Sequence, residues 1–537
     1  MSTFRPKFFS CIKNYNFNLF CSDITAGIIV AVIALPLSIA LAIASGVSPE
    51  KGLHTAIIAG FIISFLGGSS VQIGGPTGAF MVIVYGILTK YGLDGLIIST
   101  ILAGIILVLM GILRLGKMMK FIPYPIITGF TSGIALVIFS TQVKDFLGLN
   151  IDNVPSEFIG KWQIYISNIN NINWTSVALG IVSLLIIVLW PRINKTIPGS
   201  LVALIIATVL AYFFKLNVDT IGSKYGELSS AFPGAHIPAL KLEVVKELIH
   251  PALTIAFLGG VESLLSAVVA DGMTGEKHRS NTELIAQGLA NIASGIFGGI
   301  PATGAIARTA ANIKNGGTTP ISGMVHAVVL LLIMLLFMPY AKLIPLCTLA
   351  AILMVVAYNM SQWREFKELL GTTKSDMFIL LTTFALTVLI DLVMAIEVSV
   401  VLSSLLFMKR MADTTNVENL SSQLYKREKG IPNDTLMYEI NGPFFFGAAD
   451  KFKQAVDEIE DDIKVIILKM NNVPAMDATA FHELEGLYGS CIEHNTELIL
   501  LGVQEQPYSV LEKAGFIHKI GEENMCKDLS EALEKAA

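Results

Sequence analysis

The chain has 537 residues, of which 53% are hydrophobic and 15% are charged, against roughly 25% charged in an average soluble domain. With a mean hydropathy of +0.67, this composition predicts a polytopic membrane protein rather than a soluble globular one. The net charge of −5 and the lack of a basic block interleaved with aromatic residues exclude a nucleic-acid-binding protein.

The N-terminal segment, residues 1–22, carries Arg5, Lys7 and Lys13 and precedes the apolar stretch "ITAGIIVAVIALPLSIALAIASG" at 24–46. That stretch is too long for a removable signal peptide and has no clear cleavage site, so it is predicted to be a first membrane span. Similar runs recur along the chain, and about 20 apolar residues are what a helix needs to cross the hydrocarbon of a bilayer.

We predict fourteen membrane segments in a transport domain at 23–409. They lie near 23–46, 52–68, 78–89, 94–114, 124–147, 174–190, 197–214, 250–270, 282–297, 304–314, 320–339, 345–358, 375–390 and 391–408. The third and tenth are too short to cross alone, since about 20 residues are required. Seven segments fall in one half (23–214) and seven in the other (250–408), and an odd number per half predicts an inverted repeat.

This segment count places the basic residues of the loops on one side of the membrane. They are Arg5, Lys7, Lys13, Lys117, Lys120, Arg192, Lys195, Lys277, Arg279, Arg364, Lys367, Lys409 and Arg410. The positive-inside rule makes that side cytoplasmic. We therefore expect both termini in the cytoplasm and the protein in the cell membrane.

Two Gly/Pro breaks, "GGPTGAF" at 74–80 and "GIPATGAI" at 299–306, interrupt apolar sequence at matched positions. Pro36 lies 41 residues before Thr77, and Glu262 lies 41 residues before Thr303. Neither break can continue a helix, so each predicts an extended stretch followed by a half-helix that starts at Thr77 or Thr303. Gly and Pro could instead merely kink ordinary membrane helices, in which both are frequent.

A half-helix that begins inside the membrane exposes its first N–H groups there, with about half a positive charge from the helix dipole. Two such ends would face each other and hold an anion. Gly78 and Gly304 would allow close approach, and the hydroxyl groups of Thr77 and Thr303 would donate hydrogen bonds.

Two charged residues lie near this predicted site. Glu262, in "GGVESLLSAVVAD", falls near the middle of the eighth segment, where a carboxylate predicts a functional group such as a proton carrier. Arg308, in "AIARTA", would add positive charge and a planar donor fork for an oxyanion. The alternative for both is structural: Glu262 and Arg308 could form an ion pair with each other.

After Lys409 the composition changes to alternating charged and short apolar runs. Residues 410–430 form a polar linker, and 431–537 predict a small α/β domain. Its strands are "TLMYEI" (435–440), "KVIILKM" (464–470) and "ELILLGV" (497–503), with helices near 448–460, 478–493, 506–515 and 527–536. The five cysteines show no metal-ligand spacing, and no hydrolase, metalloprotease or nucleotide-binding motif is present, so we expect no metal, no cofactor and no enzyme.

The run "HRSNTELIAQGLANIASGIFGGIPATGAIARTAANI" (278–313), together with "QIGGPTGAF" (72–80), resembles the sulfate permease (SulP) family of anion transporters. The tail resembles that family's STAS domain, which is similar to bacterial anti-sigma-factor antagonists. The resemblance implies a seven-plus-seven inverted repeat, a core domain that moves against a gate domain, a homodimer, and an anion held between half-helices 3 and 10.

On this resemblance the predicted substrate-binding residues are Gly75, Thr77, Gly78, Ala79, Thr303, Gly304, Ala305 and Arg308. Leu37 and Leu41 would line the pocket, and Leu41 stands where many members carry an aromatic residue. Many proton-coupled members have Glu at position 262 and sodium-coupled bicarbonate transporters tend to have Asp, so Glu262 favours a coupling proton. In the tail, Asp477 is followed by Ala478 instead of a phosphorylatable Ser, with Thr479 next, which favours a regulatory or dimer-contact domain.

The sequence thus predicts a secondary active transporter of inorganic, sulfate-like oxyanions, coupled to protons. Three alternatives remain open: a sodium-coupled bicarbonate transporter, a C4-dicarboxylate transporter, and, in a different class, a membrane-anchored anion sensor or scaffold.

Overall fold

The structure is a computed structural model. It describes residues 4–117, 123–151, 154–155, 157–194, 197–232, 234–236, 238, 242–390, 392–420, 431–447, 451–452 and 463–536. Most of the helix predicted near 448–460 lies outside these residues, as do Lys120, Lys195 and the second half of the predicted linker. The chain divides into two compact units, Met1–Val400 and Val401–Ala537.

The first unit is helical. Its first half contains α1 (Phe17–Ala44), α2 (Pro49–Leu66), α3 (Gly78–Ile112), α4 (Tyr124–Leu147), α5 (Trp174–Ile193) and α6 (Gly199–Phe213). Its second half contains α7 (Leu242–Thr274), α8 (Ser280–Ile296), α9 (Ile306–Lys314), α10 (Pro320–Ala341), α11 (Leu346–Met360), α12 (Lys374–Leu389) and α13 (Leu392–Thr414), which continues into the second unit. Within the described residues, seven helices are long and apolar enough to cross a membrane.

Helix α3 contains the third and fourth predicted segments in one run, divided at Gly92. Gly92 has φ 71° and ψ −172°, a conformation that residues with a Cβ avoid. With α3 counted as two pieces, every predicted segment corresponds to a helical piece, and the predicted membrane fold is confirmed. One boundary was wrong: the second half-helix begins at Ile306, not at Thr303, because Thr303 and Gly304 are extended.

Helices α3 and α8 approach closely through glycines. A Cβ atom on Gly104 would lie 2.5 Å from the carbonyl oxygen of Gly288, and a Cβ on Gly288 would lie 2.5 Å from that of Gly104. Only residues without side chains allow such an approach between helices. This contact joins the helix that begins at the first break to the helix that leads into the second.

The two breaks pair with each other. Gly74–Gly75 (β1) and Thr303–Gly304 (β2) form a two-stranded antiparallel sheet in which Gly74 faces Gly304 and Gly75 faces Thr303. The two inverted halves therefore meet backbone to backbone at the point where each half-helix starts.

The second unit is a small α/β domain. Its sheet has the order β3 (Asn416–Asn419), β4 (Thr435–Asn441), β5 (Val465–Asn472), β6 (Glu497–Leu501) and β7 (Met525–Cys526). β3 is antiparallel to β4, and the other neighbours are parallel. Residues 416–419 thus belong to the sheet and not to the linker predicted at 410–430; the pairing partner in β4 lies too far along the chain to be read from a short polar segment.

Helices cover this sheet, as expected for parallel strands. They are Ala478–Glu493, Glu505–Lys513, Phe516–Ile520 and Leu529–Ala536. Consecutive residues of β5 pack into opposite cores: Leu468 lies on one side of the sheet and Ile467 on the other. Asp477 caps the first of these helices, because its carboxylate accepts the N–H of Ala480 at 2.9 Å and that of Phe446 at 3.0 Å. Thr479 is exposed.

Candidate functional site

The first break ends at the start of α3. Thr77 is extended, with φ −127° and ψ 159°, and its side chain does not cap its own helix. Instead, its hydroxyl donates a 3.0 Å hydrogen bond to Oε2 of Glu262 on α7. Gly78 and Ala79, the first two residues of α3, have no acceptor for their N–H groups within the helix. The predicted coupling residue and the first predicted half-helix end are therefore in contact.

The second break is arranged differently, because its threonine faces the protein interior. The Thr303 hydroxyl donates to the carbonyl oxygen of Gly259 at 3.0 Å and lies 2.6 Å from the hydroxyl of Ser263. The N–H of Gly304 donates to the same Ser263 oxygen at 3.2 Å. The hydroxyl proton of Thr303 is therefore donated to α7, whereas the sequence had suggested that this hydroxyl donates to the anion.

The later start of α9 also changes which amides are available. The N–H of Ala305 donates to the carbonyl of Ile73 at 2.8 Å, so it belongs to the pairing between the two breaks. Ile306 and Ala307 are the first residues of α9, and their N–H groups have no acceptor within the helix. Both side chains are exposed. Sequence reasoning missed these two residues, since Thr-Gly-Ala appeared to start both half-helices.

Arg308 reaches from α9 to the first break. Its side chain is 1% exposed, and Nη2 donates to the carbonyl of Pro76 at 2.9 Å. Nε and Nη1 are buried and have no hydrogen-bond acceptor in the part of the chain described. A Cβ on Gly75, which has φ +155°, would lie 2.4 Å from Nη1, so the guanidinium packs directly on the glycine backbone.

Among the described residues, Arg308 and Glu262 do not form the ion pair that was the structural alternative. Each contacts a neighbouring residue of the first break: Arg308 binds the Pro76 carbonyl, and Glu262 accepts from Thr77. A cation and a carboxylate therefore contact two consecutive residues, Pro76 and Thr77, and α3 begins directly after them. Such an arrangement can attract an anion and can respond to the charge of Glu262.

The remaining predicted residues form the walls of the region. Leu41 is buried in the largest apolar cluster, and Leu37 packs against that cluster half-buried. A Cβ on Gly78 would come within 2.9 Å of Ile138 and 3.1 Å of the Met360 sulfur, so glycine lets α4 and α11 pack against the start of α3.

Sequence reasoning also missed Gln72 and Ser263. Gln72 donates from Nε2 to the carbonyl of Ser263 at 3.2 Å, and its amide fills the space beside Gly304, where a Cβ would lie 1.6 Å from Nε2. Both residues stand next to residues that the sequence had singled out, Ser263 beside Glu262 and Gln72 inside the quoted motif. Their contacts connect α7 to the second break.

Comparison with known proteins identifies the family. The model of the sulfate permease family matches residues 20–383. The chain belongs to the sulfate permease family. The STAS domain model matches residues 426–532, which confirms the resemblance seen in the sequence of the tail.

Two relatives in the sulfate permease family match this chain along nearly their whole length. A protein of Bacillus subtilis (strain 168) with the provisional name sulfate transporter YvdB is 45% identical over 521 residues, covering 96% of this chain and 98% of the relative. The bicarbonate transporter BicA of Picosynechococcus sp. (strain ATCC 27264 / PCC 7002 / PR-6) is 32% identical over 536 residues, covering 96% of this chain and 94% of the relative.

Solved structures support the same fold. The transmembrane domain of a cyanobacterial bicarbonate transporter BicA matches with a TM-score of 0.66 and 32% identity, covering 71% of this chain and 98% of that one. The structure of SLC26A9 matches with a TM-score of 0.87 over 98% of this chain and 91% of that one, and at 19% identity it shows the fold alone. The chain is therefore a multi-pass membrane protein of an anion-transporter family, and its tail is a STAS domain.

Proposed function

We propose that this protein is a proton-coupled secondary active transporter of inorganic oxyanions in the cell membrane. The anion is held between the N-terminal ends of α3 and α9, at a site formed by Gly75, Thr77, Gly78, Ala79, Thr303, Gly304, Ala305 and Arg308. Leu37 and Leu41 line the pocket, and Glu262 carries the coupling proton. The observation that carries the proposal is the hydrogen bond between Thr77 and Glu262, which places a carboxylate at the start of a half-helix.

The chemistry of coupling follows from competition between two negative charges. An ionised Glu262 already occupies the positive end of α3, and it weakens the attraction of that end for a substrate anion. Protonation of Glu262 removes the negative charge and leaves the α3 amides and Arg308 free to bind an oxyanion. The proton and the anion therefore favour each other's binding, which is the thermodynamic condition for their joint transport.

The roles of Thr303, Gly304 and Ala305 are backbone roles in this proposal. Their pairing with the first break and with α7 holds the start of α9 in place, and the free amides of Ile306 and Ala307 face the anion beside Arg308. This fits the buried position of Thr303, whose hydroxyl proton is used within the protein.

The substrate class is an oxyanion because one relative is named for sulfate and another for bicarbonate. The BicA name makes bicarbonate transport the second candidate, which the family resemblance associates with sodium coupling, and C4-dicarboxylate transport is a third.

We further propose a homodimer with both termini in the cytoplasm. The proposed domains are an N-terminal segment at 1–22, the transport domain at 23–409, a connection at 410–430 whose residues 416–419 join the sheet, and a regulatory or dimer-contact domain at 431–537.

The deciding experiment measures uptake of radioactive sulfate and of radioactive bicarbonate into proteoliposomes. For the wild type we expect uptake to rise with an inward proton gradient and to be unchanged when sodium is replaced by potassium. Glu262→Gln mimics the neutral carboxyl group, so it should retain anion exchange and lose the acceleration by the gradient.

Glu368→Gln is the matched control, because Glu368 is an exposed carboxylate on the short helix Trp363–Leu370. It should behave as the wild type. Uptake that requires sodium and ignores the proton gradient would replace proton coupling with the sodium-coupled bicarbonate alternative. Anion binding without any uptake would favour a sensor.

A further inference from the structure

A second cavity lies in the membrane unit, apart from the breaks. It has a volume of about 500 Å³ and is lined by the C-terminal end of α1, the first turns of α3, the C-terminal end of α4 and two short helices, Phe158–Ser167 and Ile221–Tyr225. Of the described residues assigned to the central site, none lines it. Met81 and Val82, one helical turn after Gly78, form part of its wall, so it opens on the first half-helix.

Lys161 of the short helix Phe158–Ser167 is the unusual group in this cavity. The residue is only 6% exposed, yet its ammonium group has no hydrogen-bond or ion-pair partner among the residues that the structure describes. A lysine this buried usually has a partner. The Lys161 nitrogen is not among the fully buried unpartnered atoms, so the stem of the side chain is buried and the ammonium group opens on the cavity. Burial alone lowers the pKa of Lys161 to about 8.

None of the other described charged residues of the cavity forms an ion pair with Lys161. Asp145 lies 3.7 Å from the ammonium group of Lys224 and is already shared with it. Lys144 donates to the carbonyl oxygen of Ile151. Glu157 is exposed. The cavity therefore contains three lysines, and the ammonium group of one of them, Lys161, opens on it without a counter-ion among the described residues. The space is large enough for several water molecules or a hydrated ion.

We propose that this cavity is a second binding site for a small inorganic anion, with Lys161 as its principal ligand and the Tyr165 phenol as a neighbouring donor. An anion there would supply the counter-charge that the described residues do not. Because the cavity shares the first turns of α3 with the central site, an anion bound at Lys161 is held close to the half-helix that binds substrate. The inference extends the proposed transport function but uses a different set of residues.

The test is a calorimetric titration of the purified full-length protein with sulfate, in a buffer whose only other anion is gluconate. The wild type should bind sulfate at two sites. Lys161→Met keeps the length of the side chain and removes its charge, so it should weaken one site at least about tenfold, as expected for loss of a charge-assisted hydrogen bond, and leave the other unchanged. Lys161→Arg should retain both sites, and Lys161→Gln serves if the methionine variant misfolds.

Arg308→Met gives the opposite pattern and separates this proposal from the proposed function. It should lose the central site and retain the site at Lys161. A wild type without any sulfate site, or a Lys161→Met protein that binds sulfate as the wild type does, would overturn the second site. A single site that Lys161→Met removes and Arg308→Met retains would instead overturn the central site. Two sites in the titration without any uptake into proteoliposomes would instead overturn transport and leave the Lys161 site standing.

Discussion

The two breaks have similar sequences and different side-chain environments. Gly74–Gly75 and Thr303–Gly304 pair residue for residue, as two inverted copies should. Thr77, however, is half-buried and bonds to the carboxylate of Glu262, whereas Thr303 is fully buried and bonds to the backbone and to a hydroxyl of α7. The helix after the first break begins directly after Thr77, whereas the helix after the second begins only at Ile306. Among the described residues, the titratable contact belongs to the first break.

The asymmetry has a simple origin in α7. Glu262 and Ser263 are consecutive, and side chains of consecutive residues point about 100° apart around a helix. One therefore reaches the first break and the other the second. In the first half, the 41-residue spacing places Pro36 and Leu37 at the corresponding positions of α1. Neither side chain can form a hydrogen bond, so α7 supplies polar partners to both breaks and α1 supplies none.

The largest expected effect comes from removing the cation that joins the breaks. Arg308→Met should lower sulfate uptake at least about 100-fold, the size of effect seen when a charge-stabilising donor is lost. The midpoint of thermal unfolding should change by only a few degrees, because a buried guanidinium with two unfilled donors adds little net stability. Both are measured on purified protein, by proteoliposome uptake and by scanning fluorimetry.

Lys314→Met is the control for Arg308→Met, since Lys314 is an exposed cation on the same short helix. It should leave uptake within about twofold of the wild type, because exposed charges contribute little. Full uptake by Arg308→Met would mean that the cation supports the fold of the first break and not the anion.

Gly304→Ala tests whether glycine is required at this position because Gln72 occupies the space of a Cβ atom. Its Cβ would lie 1.6 Å from Nε2 of Gln72, so Gln72 must move and its bond to Ser263 must break. We expect a loss of about 1–3 kcal/mol in stability and a loss of anion binding, with Gly304→Val more severe. Adding Gln72→Ala makes room and should restore part of the stability of Gly304→Ala, which unfolding curves of the single and double variants would measure.

Gly272→Ala provides the matched glycine control. A Cβ at Gly272 would meet no atom within 4 Å, so this variant should unfold as the wild type does. No recovery in the Gln72→Ala double variant would show that Gly304 is required for a reason other than the space occupied by Gln72.

The smallest effects should distinguish the two threonines. Thr303→Val leaves the Ser263 hydroxyl without its acceptor in a buried site, so it should lower stability by about 1–3 kcal/mol and leave the pH dependence of uptake unchanged. Thr77→Val removes the hydrogen bond to Glu262 and should shift the pH dependence of uptake with little loss of stability. Equal effects of both variants on the pH profile would contradict the division between the breaks.

The sequence by itself determined the membrane segments, the positions of the two breaks and the family. These features depend on local chemistry: about 20 apolar residues cross a bilayer, and a cluster of Gly and Pro such as that at 74–76 favours a break in a helix. Glu262 could also be singled out, because a carboxylate amid apolar residues is conspicuous in any arrangement.

Only the tertiary structure decided which groups meet. The bond between Arg308 and Pro76 joins residues 232 positions apart, and the inward direction of Thr303 depends on how α7 is rotated. Thr77 and Thr303 lie in nearly identical local sequences, so no local pattern could tell that one hydroxyl faces a carboxylate and the other a backbone carbonyl. For the same reason β3 was read as linker and Lys161 was not singled out, because hydrogen-bond partners and burial are set by distant segments that pack together.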